Sequence, residues 1–528
     1  MEISSLKNKK ILVIVKEAYS YPLFFLMEKW RHDNDVAAFV FIPGECSYNK
    51  QKYYNDLTYY YLREKNYKVY DTKEISLKFC DLKSNKIYEP EYLNYITDKY
   101  THYKNINQQI ISTQFFSRYY HYRNYYPNCT YEEQLNWITL NYHNIEEILD
   151  DFCPDLIIDD DNSELQRTIL NEVAHFRSIP YITLEQPRYE TYKTYTYRLG
   201  YGVDKYLGPI YRQNCLQDNE FLKEEISYVE EFKRKHNILG EENRADPYSS
   251  YKAESIVDCL KTVYGMFAYC YDQDIRCKNY YLKKKSKLLF PDSIELIKYF
   301  WNRSFKRRKY LKKNTIFEDP VEGEDYVYMP LHLIPESSTF VKAPFYINEF
   351  VIIEAVSKAL PAGWRLYVKE HQPMLGERGI DFYKRVKKIP NVRLVQVNYY
   401  KDPKPWIVKA KGVVTISGTS AFEAALLGKK ALVFADVMFG CIDGITKVNS
   451  FEELPKLIAD FGEIDNVKSC AAYIRTVKDY GKPINMVYLM EKGERILRGL
   501  DEMDDEYRHQ LDDLEALYLK AYTNFNCK

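Results

Sequence analysis

The sequence predicts an α/β protein with two doubly wound, Rossmann-like domains that face a cleft, together with a helical insertion and a helical C-terminal tail. Short aliphatic runs alternate with helical stretches in two separate parts of the chain, a pattern typical of parallel sheets covered on both faces. A long polar stretch with few strand signals separates the two parts. The length of 528 residues is sufficient for about two or three domains, each with its own core.

The N-terminal Rossmann-like domain is predicted over residues 1–217. Its first strand is residues 11–15, five consecutive aliphatics of which four are β-branched. A helix-like stretch at 22–30 and a second aliphatic strand at 37–42 follow it. The same order returns as a strand at 154–159, a helix at 163–176 and a strand at 179–184.

The predicted insertion, residues 218–320, contains a basic and aromatic segment. Residues 276–313 hold fourteen Lys or Arg against two acids, with Trp301 and Phe305 among the interleaved aromatics. A charged run of this kind is most often a solvated helical face. The alternative is contact with an anionic membrane surface or an anionic polymer, since each basic residue near such a surface contributes about 1 kcal/mol. Nucleic acid is not expected as a partner, because no recognisable binding module accompanies the segment.

The C-terminal Rossmann-like domain is predicted over residues 321–468, and a helical tail over 469–528. Ligands of such domains bind outside the carboxyl ends of the parallel strands, so the residues that follow each strand are the candidates for chemistry. The predicted strands are 326–331, 365–369, 392–395, 412–416 and 431–434, and the predicted helices are 347–359, 382–388 and 421–427.

Composition excludes several classes of protein. Lys plus Arg and Asp plus Glu both total 75, so the formal net charge is zero and no whole-protein field favours nucleic acid. Eleven cysteines without a C-x-x-C pair indicate a reduced, cytoplasmic chain without a zinc site. The N-terminal aliphatic run is five residues long, and nowhere do 18 apolar residues run together, so an integral membrane protein is not expected.

The strongest local signal follows the strand at 412–416. Ser417, Gly418, Thr419 and Ser420 form a turn that opens a helix, where hydroxyls and free backbone N–H groups can bind phosphate. An ordinary helix N-cap would use the same residue types. Glu423, one turn into the helix, can reach a ribose diol beside the phosphate, or it can simply favour the helix dipole by at most about 1 kcal/mol.

The second signal, Lys369-Glu370-His371-Gln372-Pro373, follows the strand at 365–369. An imidazole at this edge of the sheet can donate a hydrogen bond to a phosphate, and Pro373 stiffens the loop. A lone loop histidine more often has no chemical role. Because His371 is expected at the same edge as Ser417 and Ser420, the functional interpretation is preferred.

Carboxylates follow the other strands. Glu336 lies after the strand at 326–331 and is the candidate base or nucleophile, with a turn or capping role as the alternative. Glu17, Asp160 and Glu185 follow strands of the first domain and are candidates for the acceptor side of the cleft. Asp159, Asp160 and Asp161 would suit a metal, but no partner ligand is evident, so acceptor binding or helix capping is preferred and no metal is assigned.

Taken together, these motifs resemble the capsular polysaccharide synthesis proteins, a family that includes bacterial 3-deoxy-D-manno-octulosonic acid (Kdo) transferases. That family has a Gln-x-x-x-Asp motif, then Lys-x-His-Pro, then Ser/Thr-Gly-x-x-x-Phe-Glu-Ala-Leu. Here the order is the same, with residues 332–336, 369–373 and 417–426, and residues 155–202 also resemble the family's N-terminal domain. His332 and Glu336 replace Gln and Asp, and Gln372 separates His371 from Pro373, which leaves the identity of the sugar open.

The resemblance implies a GT-B type, nucleotide-sugar-dependent glycosyltransferase that needs no metal. It implies a CMP-linked donor of Kdo or a related acidic sugar, held by Lys369, Glu423 and residues 417–420, and a surface polysaccharide or glycolipid acceptor. Glu336 and His371 would be the catalytic residues. The location would be cytoplasmic, with a peripheral position at the inner face of the cytoplasmic membrane. A glycerol- or ribitol-phosphate polymer transferase and a non-catalytic nucleotide- or glycan-binding scaffold are the alternatives, and an epimerase acting on sugar nucleotides is a lesser one.

Overall fold

A computed structural model provides the structure of the chain. It describes residues 6–16, 20–40, 58, 61–72, 75, 78–79, 82, 85–112, 130–161, 165–200, 207–238, 255–261, 264, 290–312, 316–334 and 336–526. Two mixed α/β units follow each other along the chain, each built on one sheet. The two-domain α/β prediction is therefore confirmed.

The first unit contains a sheet in the order β6-β5-β4-β1-β2-β3, which a short C-terminal strand extends beside β6. Strands β1 to β5 are all parallel to one another, whereas β6 runs antiparallel to β5. Its elements are β1 (Lys10–Val15), α1 (Tyr21–Trp30), β2 (Asp35–Val40), β3 (Lys68–Asp71), α2 (Pro90–Lys99), α3 (Ile106–Ser112), α4 (Tyr131–Phe152), β4 (Leu156–Ile158), α5 (Leu165–Phe176), β5 (Tyr181–Glu185), β6 (Tyr192–Thr196), α6 (Leu207–Cys215) and α7 (Lys223–Arg234).

Strand β1 shows why this sheet is covered on both faces. Ile11, Val13 and Val15 pack into one hydrophobic core, whereas Leu12 and Ile14 pack into another. Successive side chains of a strand point to opposite faces, so a continuous aliphatic run can be buried only between two layers of helices. The aliphatic run that predicted β1 is therefore also the reason for the layered architecture.

The second unit is a parallel sheet in the order β12-β11-β10-β7-β8-β9. Strand β7 lies at its centre, between β10 and β8, so the carboxyl ends of these three strands meet at one edge. Its elements are α8 (Phe290–Leu311), β7 (Tyr326–Pro330), α9 (Ser337–Phe340), α10 (Glu349–Ala359), β8 (Arg365–Lys369), α11 (Ile380–Lys387), β9 (Val392–Val395), α12 (Lys404–Lys409), β10 (Gly412–Thr415), α13 (Ser420–Leu426), β11 (Ala431–Val433), β12 (Ile445–Lys447) and α14 (Leu454–Ala459).

The C-terminal tail returns to the first unit. Its elements are α15 (Val467–Tyr480), β13 (Lys482–Pro483), α16 (Met486–Leu497) and α17 (Asp505–Asn526). Strand β13 pairs antiparallel with β6, and the hydroxyl of Tyr518 on α17 donates to the carbonyl of Asp159 at 2.8 Å. The hydroxyl of Tyr197 donates in turn to the carbonyl of Ala521 at 2.6 Å. The tail is helical as predicted, and its buried face belongs to the core of the N-terminal unit.

The described parts of the predicted insertion pack against the two units, whereas residues 239–254 and 265–289, with most of the lysines of the basic segment's first half, lie outside the described residues. Helix α7 packs against α15, and the ammonium of Lys478 on α15 reaches the carboxylate of buried Glu225 at 2.7 Å. Helix α8 packs against the loop that follows Pro373. In the described part of the chain, no helix is both long enough and apolar enough to cross a bilayer.

Candidate functional site

The turn between β10 and α13 is built around a glycine. The Gly418 N–H donates to Oγ1 of Thr415 at 3.2 Å, and a Cβ at Gly418 would lie 2.6 Å from that oxygen. A larger residue at this position would have to displace the side chain of Thr415. The hydroxyl of Ser417 donates to the carbonyl of Ser338 at 2.5 Å, whereas the hydroxyl of Ser420 is buried without a hydrogen-bond partner.

The end of β8 brings two nitrogen-bearing side chains to the same edge. Lys369 is partly buried at the end of β8, and no hydrogen bond or ion pair of its ammonium occurs among the described residues. Burial lowers the pKa of Lys369 to about 8, despite the opposing charges of Glu370 and Glu423. Burial likewise lowers the pKa of His371 to about 4, and the neighbouring cationic groups add to the effect. His371 is therefore neutral at pH 7, and its Nδ1 is buried without a hydrogen-bond partner.

Glu423 lies one turn into α13, close to Lys369. Burial raises the pKa of its carboxyl to about 7, and the charge of Asp402 adds to the increase. The positive charges of Arg188 and Lys369 act in the opposite direction. A carboxyl group with such a pKa is an acceptor or a donor of hydrogen bonds near neutral pH, which suits contact with a hydroxyl pair.

His332 connects the end of β7 to the turn. Its Nε2 lies 3.2 Å from Oγ1 of Thr415 and 3.4 Å from the backbone nitrogen of Ser417. Its Nδ1 lies 3.2 Å from Oε1 of Glu349, and its backbone N–H donates to the same oxygen at 2.7 Å. His332, the first residue of the 332–336 motif, therefore contacts the turn between β10 and α13 directly.

A buried ion-pair cluster contacts His332 through Glu349. The guanidinium of Arg378 lies 2.8 Å from the carboxylate of Glu349 and 2.7 Å from that of Glu370, and all three side chains are at most 1% exposed. The hydroxyl of Tyr383 donates to Glu370 at 2.6 Å. Burial opposes ionisation of Glu349, but the charge of Arg378 and the hydrogen bonds from His332 lower its pKa to about 2. We refer to Arg378, Glu349 and Glu370 as the Arg378 cluster.

Glu336 lies in the loop between β7 and α9, two residues before Ser338. Its carbonyl accepts the N–H groups of Thr339 and Phe340, at 3.1 and 2.8 Å, so it begins the short helix α9. Its carboxylate accepts the hydroxyl of Ser338 at 3.5 Å. The hydroxyl of Ser417 donates to the carbonyl of Ser338, so the turn between β10 and α13 contacts the same short helix.

Residues at and after the end of β5, in the first unit, lie opposite the second-unit residues of the candidate site. Glu185, at the end of β5, pairs with Lys342 of the second unit at 2.5 Å. Arg188 follows with a backbone φ of +70°, in the left-handed region that is strained for a residue with a Cβ, and its positive charge lowers the pKa of Glu423. Arg188 is not among the site residues that the sequence predicts. It lies close enough to Glu423 to affect its pKa only because of how the two units face each other.

The aspartates after β4 form a structural cluster. Asp159 receives two hydrogen bonds from the buried guanidinium of Arg167, at 2.7 and 2.9 Å. Asp160 lies 3.7 Å from the same guanidinium, its side chain has no exposed surface, and burial beside Asp159 raises its pKa well above the ordinary value. In this conformation Asp160 does not reach the solvent of the cleft. Glu17 lies outside the described residues.

The site therefore combines donors that suit an anion. Lys369, His371 and Ser420 contribute unpartnered side-chain groups, and Arg188 adds a second positive charge from the other unit. No group of His, Cys, Asp and Glu side chains suited to a metal ion occurs within the described ranges. These donors are appropriate for a phosphate group.

Comparison with known proteins adds structural neighbours of low similarity. No family model and no curated protein matches the chain. Two matching solved structures are of KpsC from Thermosulfurimonas dismutans, one described as a β-Kdo 2,7-transferase and the other as a β-Kdo 2,4-transferase. The first shares 11% identity with a TM-score of 0.34, covering 63% of this chain and 79% of that chain. The second shares 12% identity with a TM-score of 0.34, covering 66% and 87%.

Another match is the UDP-GlcNAc 2-epimerase from Methanocaldococcus jannaschii, at 12% identity and a TM-score of 0.23, covering 89% of this chain and 99% of that chain. Kdo transferases are thus among the solved structures that match. TM-scores of 0.23 to 0.34 carry no argument about mechanism. The fold assignment rests on the two sheets of the chain itself.

Proposed function

We propose that this protein is a glycosyltransferase that moves a sugar from a nucleotide-linked donor to a glycan or glycolipid acceptor. One observation carries the proposal. The buried Nδ1 of His371 and the buried hydroxyl of Ser420 have no hydrogen-bond partner, and both follow strands at the same sheet edge as Lys369. Buried polar groups are normally satisfied, so a set of unsatisfied donors at a ligand-binding edge indicates an anionic ligand.

The donor phosphate would occupy this anion site. The positive charge of Lys369, the hydrogen bonds of His371 and the backbone N–H groups of residues 417–420 would stabilise the negative charge that builds up on the leaving phosphate oxygen. Glu423 would hold the ribose hydroxyls. The mechanism uses protein cations and hydrogen-bond donors for this purpose and assigns no step to a metal or other cofactor.

Glu336 is the proposed catalytic carboxylate. In a retaining reaction its oxygen attacks the anomeric carbon, the carbon–oxygen bond to the phosphate breaks, and the electron pair leaves with the phosphate. The acceptor hydroxyl then displaces Glu336, and its proton passes to the released carboxylate or to water. In an inverting reaction Glu336 would instead remove the acceptor proton during a single displacement.

The acceptor would approach from the wall that carries Glu185 and Arg188. The motif resemblance supports a CMP-linked donor of Kdo or a related acidic sugar, and a surface polysaccharide or glycolipid as acceptor. Asp160 would take part only if binding of the acceptor exposes its carboxyl group, which is fully buried beside Arg167.

The decisive experiment is thermal unfolding of the purified protein with CMP, CDP, UDP and GDP. A nucleotide present at about 100 times its dissociation constant should add about 2.7 kcal/mol to the free energy of unfolding. Lys369→Met should abolish the stabilisation, whereas the matched change Lys358→Met, at a lysine whose side chain is 72% exposed, should leave it intact. If no nucleotide stabilises the wild-type protein, the proposed donor site is wrong.

Transfer assays then separate the alternatives. Turnover of CMP-sugars supports glycosyl transfer, whereas turnover of CDP-glycerol or CDP-ribitol identifies a polyol-phosphate polymer transferase. Nucleotide binding without turnover, unchanged by Glu336→Gln, identifies a binding scaffold.

A further inference from the structure

The outer side of helix α8 exposes two large aromatic side chains. Trp301 is 55% exposed and Phe305, one helical turn later, is 65% exposed. Lys309 and Lys312 continue the same exposed side of the helix, at the i+4 and i+7 positions from Phe305. A soluble surface rarely presents such aromatic residues one turn apart without a partner.

A second helical segment beside α8 also exposes apolar side chains. Ile256, Val257, Leu260 and Tyr264 are each 57–78% exposed. The segment lies against α8, because the thiol of Cys259 donates to the hydroxyl of Ser304 at 3.2 Å. We refer to Trp301, Phe305 and these four residues as the α8 surface.

The inner side of α8 fixes its orientation. The guanidinium of Arg307 donates to the carbonyls of Leu375 and Pro373, at 2.6 and 3.1 Å. Arg303 pairs with the buried carboxylate of Glu377 at 3.0 Å. Because these two arginines hold the helix against the loop that follows His371, α8 cannot bury Trp301 and Phe305 by turning about its axis.

The charge along α8 from Trp301 onwards has one sign. Residues 301–312 contain six Lys or Arg and no acid, in a chain whose total charge is zero. Aromatic anchors beside lysines are the features of helices that lie in the interface of an anionic bilayer, where the rings enter the headgroup region and the cations face lipid phosphates. A protein partner would not require this uniform positive charge.

We propose that the α8 surface docks onto anionic lipid, with Trp301 and Phe305 inserted and Lys306, Lys309 and Lys312 facing the headgroups. This docking is independent of the proposed transferase activity. It would hold the His371 loop, which α8 contacts directly, close to the membrane surface.

The test is co-sedimentation of the full-length protein with vesicles. One vesicle type contains equimolar phosphatidylglycerol and phosphatidylcholine, and the other contains phosphatidylcholine alone. We expect binding to the first type only, and much weaker binding at about 500 mM salt than at about 50 mM, because the Debye length shortens with salt. Absence of binding to anionic vesicles at low salt would overturn the proposal.

Two variants separate the contributions. Trp301→Ser with Phe305→Ser should remove the anchors, and Lys306, Lys309 and Lys312 changed to Gln should weaken partitioning by about two orders of magnitude, at about 1 kcal/mol for each charge. The matched apolar control is Leu216→Ser with Leu500→Ser, at residues 85% and 65% exposed. The matched charge control changes the exposed lysines 223, 358 and 384 to Gln.

The controls should bind vesicles as the wild type does. Equal binding by the wild type and both α8 variants would show that another surface contacts lipid, which overturns the assignment to α8. Light scattering provides a further check. If the protein is a dimer that Trp301→Ser with Phe305→Ser converts to a monomer, and it ignores vesicles, the surface is an interface between two copies and the lipid proposal is wrong.

Discussion

Replacement of Arg378 by Met tests whether the Arg378 cluster holds the candidate site together. The guanidinium contacts Glu349 and Glu370, whose side chains have no exposed surface. Met keeps much of the aliphatic volume and removes the charge. The substitution therefore leaves two buried carboxylates without their cation.

The expected loss of stability follows from the pKa of Glu349. This pKa is about 2 in the folded protein against an ordinary value of 4.5. A difference of about 2.5 pKa units corresponds to about 3 kcal/mol of stabilisation at neutral pH. Removal of one partner from a buried ion pair typically costs about 3 to 5 kcal/mol, which agrees with that figure. We expect Arg378→Met to lower the free energy of unfolding by about this amount.

The pH dependence of stability should also change direction. In the wild type the pKa of Glu349 is lowered, so its contribution is complete above pH 4.5 and is lost as the pH falls toward 2. Without Arg378, only the hydrogen bonds from His332 oppose the effect of burial, so we expect the pKa of Glu349 to rise above its ordinary value. The free energy of unfolding of the variant should therefore fall as the pH rises from about 5 to 7. In the wild type, the contribution of Glu349 to that free energy is constant over the same range.

Urea unfolding at several pH values, followed by tryptophan fluorescence, measures both effects. The control is Arg365→Met, since Arg365 is 37% exposed and pairs with Glu324 at 3.2 Å. Glu324 is 14% exposed and keeps its ion pair with Arg393 at 2.7 Å, so this variant should keep the wild-type pH profile. If Arg378→Met is as stable as Arg365→Met and has the same pH profile, the Arg378 cluster does not support the site as argued.

Three further predictions concern the anion site. His371→Ala should lower kcat/KM by roughly one to three orders of magnitude while the circular dichroism spectrum stays that of the folded wild type. Unchanged kinetics would show that His371 is not part of the site. Glu423→Gln should weaken nucleotide binding by about 1 to 3 kcal/mol in a calorimetric titration, whereas equal affinity would support a helix-dipole role. Affinity for a nucleoside diphosphate should fall as the pH rises through about 8, where Lys369 loses its proton and its charge. Lys369→Arg should move this fall to higher pH, and an identical fall in that variant would exclude Lys369 as its cause.

The central strands were predictable because their hydrophobic pattern is local. Strands β1, β7 and β10 are aliphatic or aromatic runs buried on both faces, and each appears within one residue of its predicted start. Strands β3 and β6 were missed. Their sequences, Lys-Val-Tyr-Asp and Tyr-Lys-Thr-Tyr-Thr, are polar and only partly buried, since they lie toward the edges of the sheet.

The sequence by itself determined that Lys369, His371 and residues 417–420 meet at one edge. Each group directly follows a strand, and parallel strands of one sheet present their carboxyl ends to the same side. The tertiary structure alone decided their surroundings. Arg378 reaches Glu349 and Glu370, and Arg188 approaches Glu423 from the other unit. Such contacts between distant residues depend on how helices pack and how the units face each other, and no periodicity along the chain encodes that arrangement.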